Sequence, residues 1–165
     1  MIYISDEELS LGSNFVMLCG APGSGKTTYA NKVVKDDNSW VRVAPDDIRR
    51  LVTGSSMNMS KDKEVFGIVF DTIREELEAG SNVIYDATNC DFHYRKNMIR
   101  FVSDIDGVNI IMCLVSTSTI RDCFNNNDNR TDNQKVDDSV IERMYFNLRG
   151  HMPSLSEGFD IIGWF

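Results

Sequence analysis

The run Gly20-Ala21-Pro22-Gly23-Ser24-Gly25-Lys26-Thr27 has the spacing G-x-x-x-x-G-K-[ST]. Glycines at these positions let the backbone turn tightly and approach an anion, and N–H groups at a helix N-terminus then ring a phosphate. Lys26 is expected to reach the β- and γ-phosphates of a nucleotide, with Thr27 ligating Mg²⁺ through its hydroxyl and Thr28 also binding the nucleotide. The chemistry expected is phosphoryl transfer, with ATP as donor and Mg²⁺ as cofactor. Transfer to an alcohol also needs a carboxylate that orients the hydroxyl and takes its proton. Asp46 and Asp47 are candidates, followed closely by Arg49 and Arg50. The same aspartates could instead serve the N-terminal end of a helix. Asp86 suits a place beside the magnesium, and Thr88 and Asn89 could bond the substrate or the transferred phosphate. A capping turn before a helix at Asp91 is the structural alternative for Asp86, and the two roles are compatible. The polar segment holding Arg130 and Lys135 is expected to be a lid that delivers a cation to the transition-state charge.

These residues need elements to position them. Residues 15–19 form a continuous apolar run closed by glycine, the pattern of a parallel strand buried on both faces. Further strands are expected at 40–43, 83–85, 109–115 and 161–165. Helices are expected at 27–34, from Pro45, and at 64–79, 91–102, 118–126 and 138–148. The helix at 91–102 should present a basic side with Arg95, Lys96 and Arg100. Residues 1–13 read as an N-terminal extension, 54–63 as a connecting segment and 126–137 as the lid. Strands alternating with helices predict a parallel sheet covered on both faces, with ligands at the carboxyl ends of the strands. The 165 residues suit a single domain.

A balance of 17 basic against 25 acidic residues, net charge −8, argues against broad adhesion to nucleic acid but leaves room for a small basic site gripping one strand end. Cys19, Cys90, Cys113 and Cys123 show no zinc-like spacing and are expected to be reduced thiols in or near the core. No leader pattern or apolar run of membrane-spanning length is evident, so a soluble, cytoplasmic protein is expected, in the host cytoplasm for a phage product.

Taken in order, GAPGSGKTT, PDDIR, YDATN, the Arg130 loop and the segment 153–160 resemble the kinase domain of phage and animal polynucleotide 5′-kinases within the wider P-loop kinase family. The resemblance spans residues 15–165. It implies a three-layer α/β P-loop NTPase fold, with a parallel sheet of about five strands in the order 2-3-1-4-5. It also implies that Asp46 is the general base on a 5′-hydroxyl and that Arg49 contacts the acceptor's adjacent phosphate. Asp86 and the pair Thr88-Asn89 match the third-strand motif, and Arg130 matches the lid arginine facing the phosphates. A second lid arginine would fall on Asn126, which leaves Arg121 or Lys135 as its substitute. The phosphatase domain of some relatives has no counterpart. The implied partners are ATP and a 5′-hydroxyl end of DNA or RNA. A small-molecule kinase of the same architecture, and a nucleotide-binding switch without chemistry, are the competing functions.

Overall fold

In the computed structural model, residues 12–131 and 134–165 are described. The N-terminal extension expected over residues 1–13 lies outside the described residues except for Gly12 and Ser13, and Ser13 already opens the first strand. In chain order the elements are β1 (Ser13–Cys19), α1 (Lys26–Asp36), β2 (Trp40–Val43), α2 (Pro45–Thr53), α3 (Asp62–Glu78), β3 (Asn82–Tyr85), α4 (Phe92–Ser103), β4 (Val108–Val115), α5 (Ile120–Asp128), α6 (Asp138–Gly150) and β5 (Ile161–Trp164). Short 3₁₀ turns stand at Met59–Lys61 and Leu155–Glu157.

All four strand pairings are parallel, and the order is β2-β3-β1-β4-β5, as the resemblance implied. A central parallel strand is apolar on both faces because helices cover both. β1 shows how the faces are shared. Phe15, Met17 and Cys19 enter one cluster with Val65, Val69 and Ile73 of α3 and Met98, Ile99 and Val102 of α4. Val16 and Leu18 enter the other, with Ala30, Val33 and Val34 of α1. A smaller cluster of Ala21, Cys123 and Ile141 ties the turn after β1 to α5 and α6.

Local chemistry sets the helix ends. Pro45 takes the first turn of α2, where its missing N–H costs nothing, and Gly54 ends the helix in the left-handed region. Asp91 caps α4 by accepting from the His93 and Tyr94 amides, and Thr119 and Asp122 form a capping box on α5. Asp86 therefore caps nothing at α4. α5 also runs on to Asp128, so the first part of the expected lid is helical and the connection to α6 is shorter than the sequence suggested.

One expectation is corrected. Arg95 does not share one basic side of α4 with the exposed Lys96 and Arg100. It shares the inward face of α4 with Met98, Ile99 and Val102, at the i, i+3, i+4, i+7 spacing of one helix side, and its side chain is 0% exposed. Its Nε and Nη2 donate to Glu157 Oε2 and Oε1 at 2.8 and 2.9 Å, Nη2 also to the His151 carbonyl at 2.9 Å, and Nη1 to the Asn89 carbonyl at 3.2 Å.

Candidate functional site

The turn from β1 to α1 places residues 20–27 at the carboxyl edge of the sheet's central strand. Gly23 and Gly25 have φ of 80° and 92°, a region that glycine enters without a Cβ penalty. The loop is braced from several sides. The Gly20 amide donates to the Thr88 carbonyl at 2.9 Å. Ser116 and Ser118 hydroxyls donate to the Ser24 carbonyl at 2.9 and 3.0 Å. Lys26 is buried, and its ammonium donates to the Gly20 and Ala21 carbonyls at 2.8 and 2.9 Å and to Ser24 Oγ at 3.2 Å. Burial lowers its pKa from the ordinary lysine value.

A cavity of about 500 Å³ opens over this loop. Pro22, Gly23, Ser24, Gly25, Lys26, Thr27 and Thr28 form its floor. One wall carries Arg42, Asp46, Asp47, Arg50, Ser56 and Met57, and another carries Asp86 and Thr88. Asn126, Arg130, Gln134 and Val136 close it from the α5–α6 side. Residues far apart in sequence, Lys26, Asp46, Asp86 and Arg130, thus meet around one space large enough for a nucleotide and part of an acceptor.

Thr27 and Asp86 meet directly. The Thr27 hydroxyl donates to Asp86 Oδ2 at 2.8 Å, while the Asp86 backbone is pinned by its amide to the Val43 carbonyl at 2.9 Å. A hydroxyl and a carboxylate side by side at a phosphate loop are the hard oxygen donors that magnesium takes, together with phosphate oxygens and waters. No cluster of three or more His, Cys, Asp or Glu able to hold a metal occurs among the described residues, so a purely protein-built metal cage does not fit this site.

On the facing wall, Asp46 and Asp47 sit in the first turn of α2, whose N-cap is Ala44, and neither caps the helix. Asp46 is 75% exposed, and its Oδ1 accepts from Arg49 Nη1 at 2.6 Å. Arg49 is only 5% exposed. Its Nε donates to Asp62 Oδ1 at 2.9 Å, and Nη1 also reaches the Ser56 carbonyl at 3.3 Å. Arg49 therefore stands behind Asp46 and does not line the cavity, whereas Arg50 does. Asn89 is likewise turned away from the cavity. It is buried with φ of 46°, and its Nδ2 donates to the Leu18 and Ala87 carbonyls at 2.8 and 3.3 Å. Asparagine tolerates this left-handed turn, and there it locks the end of β3 to the end of β1.

Asn126, in place of a second lid arginine, donates through Nδ2 to the Gly23 carbonyl at 2.8 Å and so ties α5 to the phosphate loop. Arg121 and Lys135 are not among the cavity-lining residues, but Gln134 is. Sequence reasoning also missed Arg42. Its Nε and Nη2 each lie 2.8 Å from Asp86 Oδ2, and Nη1 donates to Asp47 Oδ2 at 2.6 Å. Burial tends to lower its pKa, but the charges and hydrogen bonds of Asp86 and Asp47 outweigh this and raise it. The signal was available, since an arginine inside the strand Trp-Val-Arg-Val demands a buried partner.

A family model described as an AAA domain matches residues 15–151. The chain belongs to this family. No curated protein sequence matches it. Among solved structures, it resembles a chain of the Pnkp1/Rnl/Hen1 RNA repair complex, with 26% identity and a TM-score of 0.77. That match covers 90% of this chain and 47% of the other, so the protein spans about half the length of that relative. Kti12 from Chaetomium thermophilum, in complex with ADP-AlF3, matches at 15% identity and a TM-score of 0.69, covering 92% and 88% of the two chains. A gluconokinase from Sinorhizobium meliloti matches at 16% identity and a TM-score of 0.51, covering 92% and 81%. The last two speak for the fold alone. The protein is a P-loop kinase-like domain, a fold that binds nucleotide, and among the described residues no helix is long and apolar enough to cross a membrane.

Proposed function

We propose that this protein transfers the γ-phosphate of ATP to the 5′-hydroxyl end of DNA or RNA. The observation that carries the reading is Asp46, held by a buried Arg49 on the wall of the cavity whose floor is the phosphate loop. In this reading Asp46 accepts the proton as the acceptor oxygen bonds to the γ-phosphorus. The bond from that phosphorus to the β–γ bridging oxygen breaks, and ADP leaves with that oxygen. Lys26 and the loop amides hold the phosphates, and Arg130 meets the charge that spreads over the moving group. Thr27 and Asp86 would hold Mg²⁺, which when bound neutralises phosphate charge. Arg49 acts through Asp46 as a positioning residue, and Arg50, which lines the cavity and is paired with Asp47 at 3.2 Å, is offered to an acceptor phosphate. Likeness to a chain of an RNA repair complex supports a nucleic-acid acceptor.

A second reading, a kinase for a small alcohol, is favoured by the net charge of −8. Labelled ATP, Mg²⁺ and 5′-hydroxyl oligonucleotides test the first reading directly. Asp46→Asn should cut transfer by about 10²–10⁴-fold, the usual worth of a general base, with nucleotide binding intact. Transfer to nucleosides or sugars but to no oligonucleotide would establish the second reading, and rising salt should weaken only polynucleotide phosphorylation strongly.

A further inference from the structure

The Asp86 oxygen that accepts from Thr27 is also held by a cation that the proposed chemistry does not use. Asp86 is 3% exposed at its side chain, and a carboxylate so far from water needs a positive partner at all times. Arg42 supplies it. β2 runs beside β3 in parallel register, with Arg42 opposite Ile84 and Val43 opposite Tyr85, so Arg42 lies two positions along from Asp86 at the same end of the sheet. Its guanidinium spans two carboxylates, giving Nε and Nη2 to Asp86 and Nη1 to Asp47. Asp86 Oδ2 consequently accepts from Thr27 and from two nitrogens of Arg42. Those three bonds load the carboxylate oxygen nearest Thr27.

We propose that Arg42 is the built-in counter-cation of Asp86 and sets how tightly the Thr27–Asp86 pair takes a divalent cation. The inference rests on reading that pair as the magnesium position. Arg42 acts in two ways. Its fixed charge repels a second cation arriving beside the same carboxylate, and its hydrogen bonds must be shared or surrendered when that cation arrives. It also keeps Asp86 aimed at Thr27, because the Asp47 tether holds the other edge of the guanidinium. The device makes the site depend on phosphate oxygens for cation binding. A divalent ion alone meets a carboxylate already neutralised, whereas an ion carried by a nucleotide brings further ligands of its own.

The test is a titration of Mn²⁺, read from the loss of the free-ion electron paramagnetic resonance signal, with Mg²⁺ as competitor and with neither nucleotide nor acceptor present. Arg42→Gln should bind Mn²⁺ about tenfold or more tightly than the wild type, the order expected when one nearby like charge is removed. Its melting temperature should climb over a Mg²⁺ range in which the wild type barely responds. Arg42→Lys, whose ammonium can serve Asp86 or Asp47 but not both as a fork does, should tighten binding only about two- to threefold. Arg42→Gln/Asp86→Asn should lose the gain. Unchanged Mn²⁺ affinity in Arg42→Gln, with lowered stability alone, would make Arg42 a purely structural residue and overturn the proposal. Should Arg42→Gln fail to fold at every Mg²⁺ concentration, wild-type affinity in Arg42→Lys would overturn it equally. Because no acceptor is present, these outcomes stand apart from phosphorylation assays. Failure to phosphorylate 5′-ends with the cation result intact removes only the proposed function.

Discussion

Glu157→Gln should destabilise the protein out of proportion to its size. It keeps the shape of the side chain and removes its charge. Arg95 is fully buried, and Glu157 is 4% exposed at its side chain, so the remaining guanidinium would face a neutral amide in a site closed to water. Two charge-assisted bonds at 2.8 and 2.9 Å are weakened at once, while the bonds to the His151 and Asn89 carbonyls stay. Breaking a buried pair from one side costs about 3–5 kcal/mol. In a chain of 165 residues that is roughly 10 °C in melting temperature. Urea unfolding followed by circular dichroism, with an unchanged slope, would report it. The double variant Arg95→Met/Glu157→Met should recover only part of that loss, because an apolar pair has no charge to desolvate while the His151 and Asn89 carbonyls lose their donor. A loss below about 1 kcal/mol in Glu157→Gln would mean that water reaches the pair, and would refute the reasoning. Loss of Arg95 in the double variant should reach the site as well. Arg95 holds the Asn89 turn, and Asn89 holds the Leu18 carbonyl beneath the phosphate loop.

Two glycines of the loop should respond differently to alanine. Gly23→Ala pays for its positive φ and also drives a Cβ into the Cys123 carbonyl of α5, so a loss above about 2 kcal/mol and a displaced loop are expected. Gly25→Ala meets nothing within 4 Å and should cost about 1 kcal/mol in thermal melts. Alkaline pH should also be informative. Burial pushes the Cys90 thiol from its ordinary value of 9.0 to about 12, and raises Cys19, Cys123, Tyr29 and Tyr85. Above pH 9 the unfolded chain sheds protons that the folded chain keeps, so stability should fall as pH rises, by up to about 1.4 kcal/mol per unit from Cys90 alone. Lys26 works the other way below its ordinary value of 10.5, but it is a single group. A melting temperature that holds steady from pH 7 to 10.5 would contradict this balance. Alkylation of Cys90 at pH 8 should be slow until the protein unfolds.

The phosphate loop, the sheet and most element boundaries were legible in the chain because they follow from local rules. Glycine spacing sets a turn, apolar runs set buried strands, and caps end helices. The reduced, buried state of the four cysteines followed in the same way. The candidate site was legible in its parts, since Lys26, Thr27, Asp46, Asp86 and Arg130 all line one cavity. Its polar bookkeeping was not. The sequence shows two arginines after two aspartates, but only the packing of α2 on α3 decides that Arg49 turns inward to Asp62 and Asp46 while Arg50 stays on the cavity wall. The sequence places Arg42 in a strand and Asp86 after another, and only the parallel pairing of β2 with β3 brings them to 2.8 Å. Arg95 read as part of a basic helix side and Asn89 as a substrate residue, and burial made them part of the scaffold. The physical reason is range. Backbone preference and hydrophobic period are written within a few residues, whereas the partner of a charge is chosen by whichever distant segment folding brings beside it. By itself the sequence determined a phosphate-binding α/β chain; tertiary structure decided which of its charges face the cavity and which hold each other in place.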